Sequence, residues 1–291
     1  MGVVVRISAY FPAGVDPPQV FRRAFDRVET VTRRFSSYDS GSELRRVERL
    51  AWREPTPVSP EFARLLAQAL RLARESGGAF DPTLGRVTRL LRGEGWGRGA
   101  PSEDRLRKAW RRTGWSHVEL DASNLSIAFT IRGLQLDLGG IAKGYAADEA
   151  LDALRRAGVH RAMVAVAGDI AVGDPPPSED GWRIGLDRHG PPGSIESCVK
   201  IANQGISTSG SRDRYYLVPG GRCSHIVSRA GNGCTDTALA ATVVAATAME
   251  ADGLATALIS LGQSGAESLL RRRNDVLVYW SSGRSPAAAE R

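Results

Sequence analysis

The sequence predicts an α+β fold, in which mixed or antiparallel sheets and packed helices form two interlocked lobes with a groove between them. Helix and strand signals alternate along the chain, and a strand-rich region over about residues 161–245 is followed by a further helix. A run of strands with helices before and after it is typical of α+β proteins. The 291 residues contain no repeat and no linker that would cut the chain in two, so we expect both lobes to belong to one domain.

The segment before His117 predicts one strand and three helices. Apolar residues recur at helical spacing between about Pro18 and Arg34. Another helix begins with Ser59 as N-cap and Pro60 at its first position, and the pair Gly77-Gly78 ends it. A strand is expected at residues 3–10, a loop at 35–44 (FSSYDSGSEL) and a short helix near 103–113.

The segment from His117 onward predicts strands that surround two longer helices. HVELDASNLSIAFT (117–130) is expected to form a hairpin, and LQLDL (134–138) a strand that leads through two glycines into a helix ending near Ala157. TAMEADGLATALISLG predicts a helix, which a last helix follows. We expect a domain over residues 1–280 and a disordered tail over 281–291. The remaining predicted strands are RAMVAVAGD, WRIGLD, CVKIANQGIST, YYLVPGGRCSHIV, ALAATVVA and DVLVYW.

Composition and charge exclude several classes of function. A net charge of +7 and a pI near 9.8 are compatible with nucleic-acid binding. However, the basic residues are dispersed among acidic ones, and no helix-turn-helix, zinc-knuckle or aromatic RNA-binding pattern is present. We expect no nucleic-acid partner, although the charge favours an anionic ligand. Cysteines at Cys198, Cys223 and Cys234, odd in number and without CxxC spacing, argue against a disulfide framework and a zinc site.

The sequence predicts neither a membrane span nor a signal peptide. No run approaches the roughly 18 apolar residues that cross a bilayer. The segment MGVVVRISAY is typical of a first strand and lacks a basic region, an apolar core and a cleavage site. As written, the chain is expected to stay in the cytoplasm.

The glycine-rich junction LDLGGIAKGYAAD (136–148) is the first candidate binding segment. Asp137 is followed by two glycines and a helix start, which offers backbone N–H groups and close approach to a ligand. Lys143 adds a compact positive charge, so a phosphate group is the expected ligand of this segment. The spacing is neither GxGxxG nor a P-loop, and glycine-rich turns before helices are common, so a purely structural role stays open.

Three further segments carry candidate chemistry. Asp252 and Thr256 are four residues apart, which places a carboxylate and a hydroxyl on one helix face. The pair is either a binding site for Mg²⁺, or an exposed pair or local side-chain-to-backbone bond without function. His225 is expected in a strand, where it is either a proton-transfer group or structural. GGAFDPTLG (77–85) reads as a helix stop with an Asx-type turn at Asp81, and GISTSG (205–210) as a polar strand end.

The order of these segments along the chain resembles the ApbE family of flavin transferases, which move FMN from FAD onto a protein threonine. The resemblance spans about residues 1–280 and rests on eight blocks in sequence. These blocks are MGVVVRI, FSSYDSGSEL, GGAFDPTLG, LDLGGIAKGYAADEA, VAGD, GISTSG, RCSHIV and EADGLATAL. The resemblance implies that FAD is the substrate, that Mg²⁺ is the cofactor, and that an acceptor flavoprotein with a target threonine is the partner.

The resemblance also implies roles for individual residues. His225 matches the catalytically required histidine of the family, and Gly140, Asp252 and Thr256 match its magnesium ligands, with Gly140 contributing its carbonyl. The residues that match FAD contacts are Met1, Tyr38, Ala79, Phe80, Asp81, Asp137, Lys143 and Val227. The implied reaction is attack of a threonine hydroxyl on the FMN phosphorus, with release of AMP.

The sequence departs from the family after the histidine. SHIV is followed by SRAGNG (228–233), where the family usually has Asp-Pro-Arg-Thr-Gly, so an acid and a proline are missing beside His225. Two alternatives therefore remain at the level of sequence. One is a magnesium-dependent FAD pyrophosphatase, which would release free FMN and AMP. The other is a flavin-binding protein without catalytic activity.

Overall fold

A computed structural model describes residues 3–94, 99–186, 197–210, 215–219, 221–229, 233, 235 and 239–282. Over these residues the chain has an α+β fold with antiparallel sheets, which confirms the predicted class. The helices are α1 (Pro17–Arg34), α2 (Glu43–Leu50), α3 (Pro60–Glu75), α4 (Gly85–Glu94), α5 (Glu103–Trp110), α6 (Ala142–Arg156) and α7 (Ala248–Leu270). The strands are β1 (Val5–Ala9), β2 (Thr56–Pro57), β3 (Val118–Asp121), β4 (Ser126–Phe129), β5 (Ala162–Val166), β6 (Asp169–Val172), β7 (Trp182–Leu186), β8 (Ser197–Ile201), β9 (Gly205–Gly210), β10 (Tyr215–Val218), β11 (Gly221–Ser224), β12 (Leu239–Ala245) and β13 (Leu277–Ser282).

A six-stranded antiparallel sheet forms the centre of the fold, in the order β1-β5-β6-β9-β12-β13. Its two faces follow from the alternation of side chains along each strand. On β9, Ile206 packs with Trp182 of β7 in a small apolar cluster, whereas Ser209 contacts Thr256 of α7 at 3.3 Å. The sheet is therefore covered by α7 on one face and by the β7–β8 hairpin on the other.

The main apolar core lies between this sheet and the helices. It includes fully buried side chains from α3, α6 and α7, such as Leu66, Ala146 and Leu258. A smaller apolar cluster joins α4 and α5 to β10, with Val87, Ala109 and Tyr216 as members. Burial of this apolar surface is the main stabilising contribution to the fold.

The start of α7 is fixed against α6 and leaves little room between the two helices. A Cβ atom at Gly144 of α6 would lie 2.1 Å from the carbonyl oxygen of Ala248, the first residue of α7. One turn further along α6, the Asp148 carboxylate accepts hydrogen bonds from the N–H groups of Ala248 and Met249, both at 2.9 Å. Thr247 caps the same helix with its own side chain. The register of α7 on α6 is thus set at its first turn.

Most predicted elements are present, and their ends are where the local signals place them. Ser59 caps α3 by accepting the N–H of Phe62 at 3.2 Å, and Gly77 and Gly78 end the helix with φ angles of 61° and 85°. The hairpin predicted at residues 117–130 is formed by β3 and β4.

Several expectations are corrected. LQLDL (134–138) is not a strand, because it makes one isolated bridge, between Gln135 and Leu84, and its other backbone contacts go to loops and side chains. Helices α2 and α4 were not expected, and the predicted last helix is continuous with α7 across a kink at Gly262. Cys223 is disulfide-bonded, a bond that the cysteine spacing did not predict. Strand β13 extends into the predicted tail, whose residues 283–291 lie outside the described residues.

Candidate active site

A cavity of about 520 Å³ gathers most of the predicted site residues from segments that are far apart in sequence. It lies where the α3–α4 turn, the glycine-rich junction before α6, β9, the segment after β11, and α7 meet. The predicted residues that line it are Ala79, Phe80, Asp81, Asp137, Gly140, Lys143, His225, Val227, Asp252 and Thr256. Tyr38 does not line the cavity, and Met1 lies outside the described residues.

The turn after α3 presents a buried carboxylate to the cavity. Oδ1 of Asp81 accepts hydrogen bonds from the Thr83 backbone N–H at 2.8 Å and from the Thr83 hydroxyl at 2.6 Å, which forms the expected Asx-type turn. Burial raises the pKa of Asp81, and the hydrogen bonds from Thr83 act in the opposite direction. Oδ2 of Asp81 is buried without a hydrogen-bond partner among the described residues. This oxygen can therefore accept a hydrogen bond from a bound ligand.

The segment before α6 is held in place by contacts with distant residues. The Leu136 N–H donates to the buried Glu48 side chain at 2.8 Å, and the Asp137 N–H donates to the Pro82 carbonyl at 2.8 Å. The Asp137 carboxylate then accepts from the Thr88 hydroxyl at 2.6 Å and from the Gly139 N–H at 2.9 Å. Asp137 is thus oriented by the chain itself at the cavity wall.

Arg92 of α4 joins Asp137 to two tyrosines. Its guanidinium donates to Asp137 Oδ2 at 3.3 Å, to the Tyr216 hydroxyl at 3.3 Å and to the Tyr38 hydroxyl at 3.4 Å. Burial disfavours charge on Asp137, but Arg92 and the hydrogen bonds outweigh it and lower the pKa of this carboxyl group. The carboxylate of Asp137 in turn raises the pKa of Arg92. Tyr38, which is 81% exposed, is therefore connected to the cavity through Arg92.

Lys143 lies between two buried carboxylates. Its Nζ atom is 2.8 Å from Asp169 Oδ2, and 3.1 Å and 3.0 Å from the two carboxylate oxygens of Asp252. The Gly144 N–H also donates to Asp252, at 3.1 Å, and the Ser207 hydroxyl donates to Asp169. Burial opposes a charge on Lys143, but attraction to Asp252 and Asp169 raises the pKa of its amine. The first turn of α6 was expected to bind an anion through its N–H groups, but one of these groups, that of Gly144, orients the Asp252 carboxylate.

Gly140 and Thr256 meet beside this cluster. The Thr256 hydroxyl is 3.5 Å from the Gly140 carbonyl oxygen and 3.3 Å from the Ser209 hydroxyl. A Cβ atom at Gly140 would lie 3.0 Å from Thr256 Oγ1 and 3.4 Å from the Phe80 ring, so a glycine here permits the close approach. The carboxylate of Asp252 lines the same cavity from one turn earlier on α7.

The donor set at this point fits a hard divalent cation. Among the described residues there is no cluster of three His, Cys, Asp or Glu side chains that would hold a metal ion. A cation here would be bound by one carboxylate, one hydroxyl and one backbone carbonyl, and the remaining positions would be filled by water or phosphate oxygens. Magnesium is typically bound in this way, whereas zinc prefers nitrogen and sulfur ligands.

The balance of charge also favours a cation in the cavity. Among the described lining residues, three carry a carboxylate (Asp81, Asp137 and Asp252), whereas two carry a permanently basic side chain (Arg92 and Lys143). Both basic groups are already paired with carboxylates. An anionic ligand would therefore meet unfavourable electrostatics unless a cation accompanied it.

His225 lies at the cavity wall immediately after β11, and not within a strand as expected. The strand ends because the Ser224 hydroxyl accepts the Ile226 N–H at 3.1 Å, which turns the chain. The next residues are held from two sides, because the Ile226 carbonyl accepts a hydrogen bond from the Thr235 hydroxyl at 2.6 Å, and Arg229 donates to the Thr113 carbonyl at 2.5 Å. His225 is therefore presented by an anchored turn.

Sequence reasoning missed three residues of this site. Thr88 and Arg92 are four residues apart on α4 and both contact Asp137, so their spacing would have revealed them had this helix been expected. Asp169 is the last residue of the VAGD block and the first of β6, and no local signal links it to Lys143, from which it is 26 positions distant in sequence.

No helix within the described part of the chain is long and apolar enough to cross a bilayer. The cytoplasmic location stays a prediction.

Comparison with known proteins places the chain in a family. The family model described as ApbE family matches residues 1–280. The FAD:protein FMN transferase of Salmonella typhimurium is 31% identical over 251 residues, a match that covers 81% of this chain and 69% of that protein. The solved structure of the flavin transferase ApbE from Vibrio cholerae aligns with this chain at a TM-score of 0.79 and 27% identity. The alignment covers 96% of this chain and 89% of the Vibrio cholerae chain. The crystal structure of the ApbE protein from Thermotoga maritima aligns at a TM-score of 0.81 and 27% identity, over 95% of this chain and 90% of the Thermotoga maritima chain. This chain therefore belongs to the ApbE family.

Proposed function

We propose that this protein is a magnesium-dependent FAD:protein FMN transferase, which moves FMN from FAD to a threonine hydroxyl of an acceptor flavoprotein and releases AMP. The observation that carries the proposal is the single cavity in which His225 lies together with Gly140, Asp252 and Thr256. A group able to move a proton and a donor set for a hard cation thus share one chamber, as transfer between phosphate and hydroxyl oxygens requires.

The residues of the cavity wall suit the parts of FAD. We assign the diphosphate to the region near Gly140 and Thr256, where a cation would offset the excess of carboxylates. The unpartnered Oδ2 of Asp81 would accept a donor group of the nucleotide, and the Phe80 ring would contact one of its flat surfaces. Tyr38 is exposed and linked to Arg92, so it would cover the ligand from the entrance.

Gly140, Asp252 and Thr256 would hold Mg²⁺, which when bound supplies positive charge to the diphosphate oxygens. Arg92 would keep Asp137 ionised and in place, and so keep the glycine-rich segment in its shape. His225 would accept the proton of the threonine hydroxyl as the oxygen attacks the FMN phosphorus. The bond from this phosphorus to the AMP oxygen breaks, and AMP leaves with the charge that the cavity has stabilised.

The turn that carries His225 is anchored although the sequence lacks the Asp-Pro pair that the family usually has there. Arg229 donates to the carbonyl and, at 3.1 Å, to the hydroxyl of Thr113. Ser228 is fully buried, and Val227 lines the cavity. These contacts supply the rigidity that proton transfer by His225 needs. They therefore favour an enzyme over a flavin-binding protein without activity.

The test is a transfer assay with FAD, Mg²⁺ and a flavin-free acceptor domain that contains a threonine at its flavinylation position. We expect the acceptor to gain the mass of FMN and AMP to appear in equal amount, and we expect His225→Ala and Asp252→Ala to abolish both. An acceptor with valine in place of that threonine is the matched control and should gain no mass. If free FMN and AMP appear both in this control and in the main reaction, the protein is an FAD pyrophosphatase instead. If no AMP appears in any reaction, the protein binds flavin without catalytic activity.

A further inference from the structure

Asp169 is a buried carboxylate behind Lys143 of the cavity wall, and the proposed transfer chemistry does not use it. It lies at the start of β6, is 3% exposed, and binds the Lys143 amine at 2.8 Å. Its other oxygen accepts the hydroxyl of Ser207 from the neighbouring strand β9. Asp169 is thus fixed by the central sheet, and its partner is a lysine on α6.

Lys143 competes with a cation for Asp252. Both carboxylate oxygens of Asp252 are within 3.1 Å of the Lys143 amine, and one of them also accepts the Gly144 N–H. An ammonium group and a divalent cation repel each other strongly at such distances in a buried site. A cation that binds Asp252 therefore requires Lys143 to give up at least part of its contact with this carboxylate.

We propose that Asp169 is a positioning residue, which retains the Lys143 amine when Asp252 gives its carboxylate to the divalent cation. The inference rests on the proposed metal site. In the structure Lys143 contacts both acids, so a small rotation of its side chain transfers it from a shared position to Asp169 alone. The ammonium then stays buried and paired, and avoids the large penalty of a buried charge without a partner.

This arrangement makes the two residues act on metal affinity in opposite directions. Without Lys143, Asp252 loses its cationic partner among the described residues, so the metal should bind more tightly. Without the charge of Asp169, Lys143 has Asp252 as its remaining carboxylate partner in this cluster and should hold it against the metal. A purely structural role for the pair predicts instead that either substitution weakens metal binding, because either one leaves a buried charge without its partner.

The test measures Mn²⁺ binding to the whole chain in the absence of FAD, from the electron paramagnetic resonance signal of free Mn²⁺. We expect Lys143→Met to bind Mn²⁺ about fivefold more tightly or better, because a positive charge within about 6 Å of an anionic site disfavours a second cation. We expect Asp169→Asn to bind it about tenfold more weakly or worse, as is usual for partners that orient metal ligands. The double variant should bind at least as tightly as the unsubstituted chain, because removal of Lys143 removes the need for Asp169.

The chain offers a matched control in the exposed pair of Lys200 and Asp180, whose side chains are 45% and 78% exposed. Lys200→Met and Asp180→Asn change the same charges away from the cavity and should leave Mn²⁺ affinity unchanged. Unfolding temperatures of all variants separate weak binding from loss of fold. If Asp169→Asn does not fold, Ser207→Ala decides: a twofold to fivefold weaker affinity at unchanged unfolding temperature is expected, and an unchanged affinity overturns the proposal.

The inference is overturned if Lys143→Met binds Mn²⁺ no more tightly, if Asp169→Asn binds it equally well, or if the double variant is as weak as Asp169→Asn. In the last case Asp169 would act on the metal directly. Absence of Mn²⁺ binding to the unsubstituted chain would refute the proposed metal site itself. A failed FMN transfer together with the expected pattern of Mn²⁺ affinities would refute the proposed reaction and leave the role of Asp169 standing.

Discussion

Replacement of Gly144 by alanine is a demanding test of the packing that forms the site. The added Cβ would lie 2.1 Å from the Ala248 carbonyl oxygen and 2.7 Å from the Met249 backbone nitrogen. Both neighbours are backbone atoms of the first turn of α7, which Asp148 holds through two hydrogen bonds. Neither atom can swing away as the end of a side chain can, so α7 must move as a unit.

The size of the effect follows from this geometry. Real Cβ atoms essentially never come closer than 3.0 Å to such neighbours, so a contact of 2.1 Å forces the first turn of α7 away from α6. Overpacking of this kind costs about 3 kcal/mol, whereas alanine in place of glycine within a helix stabilises by about 1 kcal/mol. We therefore expect Gly144→Ala to lower the free energy of unfolding by about 2 kcal/mol. The same movement shifts Asp252 away from the Gly144 N–H and should weaken metal binding.

The assay is thermal unfolding followed by circular dichroism, with Gly265→Ala as the matched control. Gly265 also lies in a helix, but its added Cβ would meet Leu261 at 3.5 Å, an ordinary contact. Gly265→Ala should raise the unfolding temperature slightly, whereas Gly144→Ala should lower it by about 4 °C or more. The reasoning is refuted if Gly144→Ala is as stable as the unsubstituted chain, or if both substitutions shift the temperature in the same direction.

Two other predictions concern charged residues. Burial raises the pKa of Asp148 from 3.8 to about 7, so the folded chain holds the carboxyl proton of Asp148 more strongly than the unfolded chain does. The stability that this proton contributes is fully present below pH 3.8 and is lost as the pH rises through about 7. Urea unfolding from pH 4 to 8 should show the unsubstituted chain losing stability relative to Asp148→Asn, and a constant difference between the two would contradict this assignment. Arg92→Gln removes the counter-ion of Asp137 at the cavity wall, so we expect KM for FAD to rise about tenfold with a smaller change in kcat. Arg86→Gln, an exposed position on the same helix, should leave KM unchanged, and equal effects of the two substitutions would argue against a local role for Arg92.

Features encoded within one or two helical turns could be predicted from the sequence. Ser59 and Pro60 mark the start of α3, and the Ser59 cap is formed as expected. The spacing of Asp252 and Thr256 placed both on one face of α7, and both line the cavity. Such features depend on neighbours along the chain, so the local sequence contains the information they need.

Features that depend on distant contacts could not be predicted. LQLDL alternates like a strand, but Leu136 donates its N–H to Glu48, 88 residues earlier, and no strand in the described part of the chain pairs with the segment over its length. Helix α4 is short and has glycines near both ends, which are typical of loops, and Arg92 was missed with it. Asp169 becomes part of the site because the sheet brings it to Lys143. These positions are set by tertiary packing, which overrides local propensity.

The most direct test of the central claim is the position of a divalent cation in crystals soaked with Mn²⁺ and FAD. Anomalous diffraction should show one Mn²⁺ peak at roughly 2 Å from the Gly140 carbonyl oxygen, the Asp252 carboxylate and the Thr256 hydroxyl, with the FAD diphosphate completing its coordination. Lys143 should then contact Asp169 and no longer both oxygens of Asp252. A cation bound elsewhere, or FAD bound in the cavity without a cation between these three residues, would contradict the account.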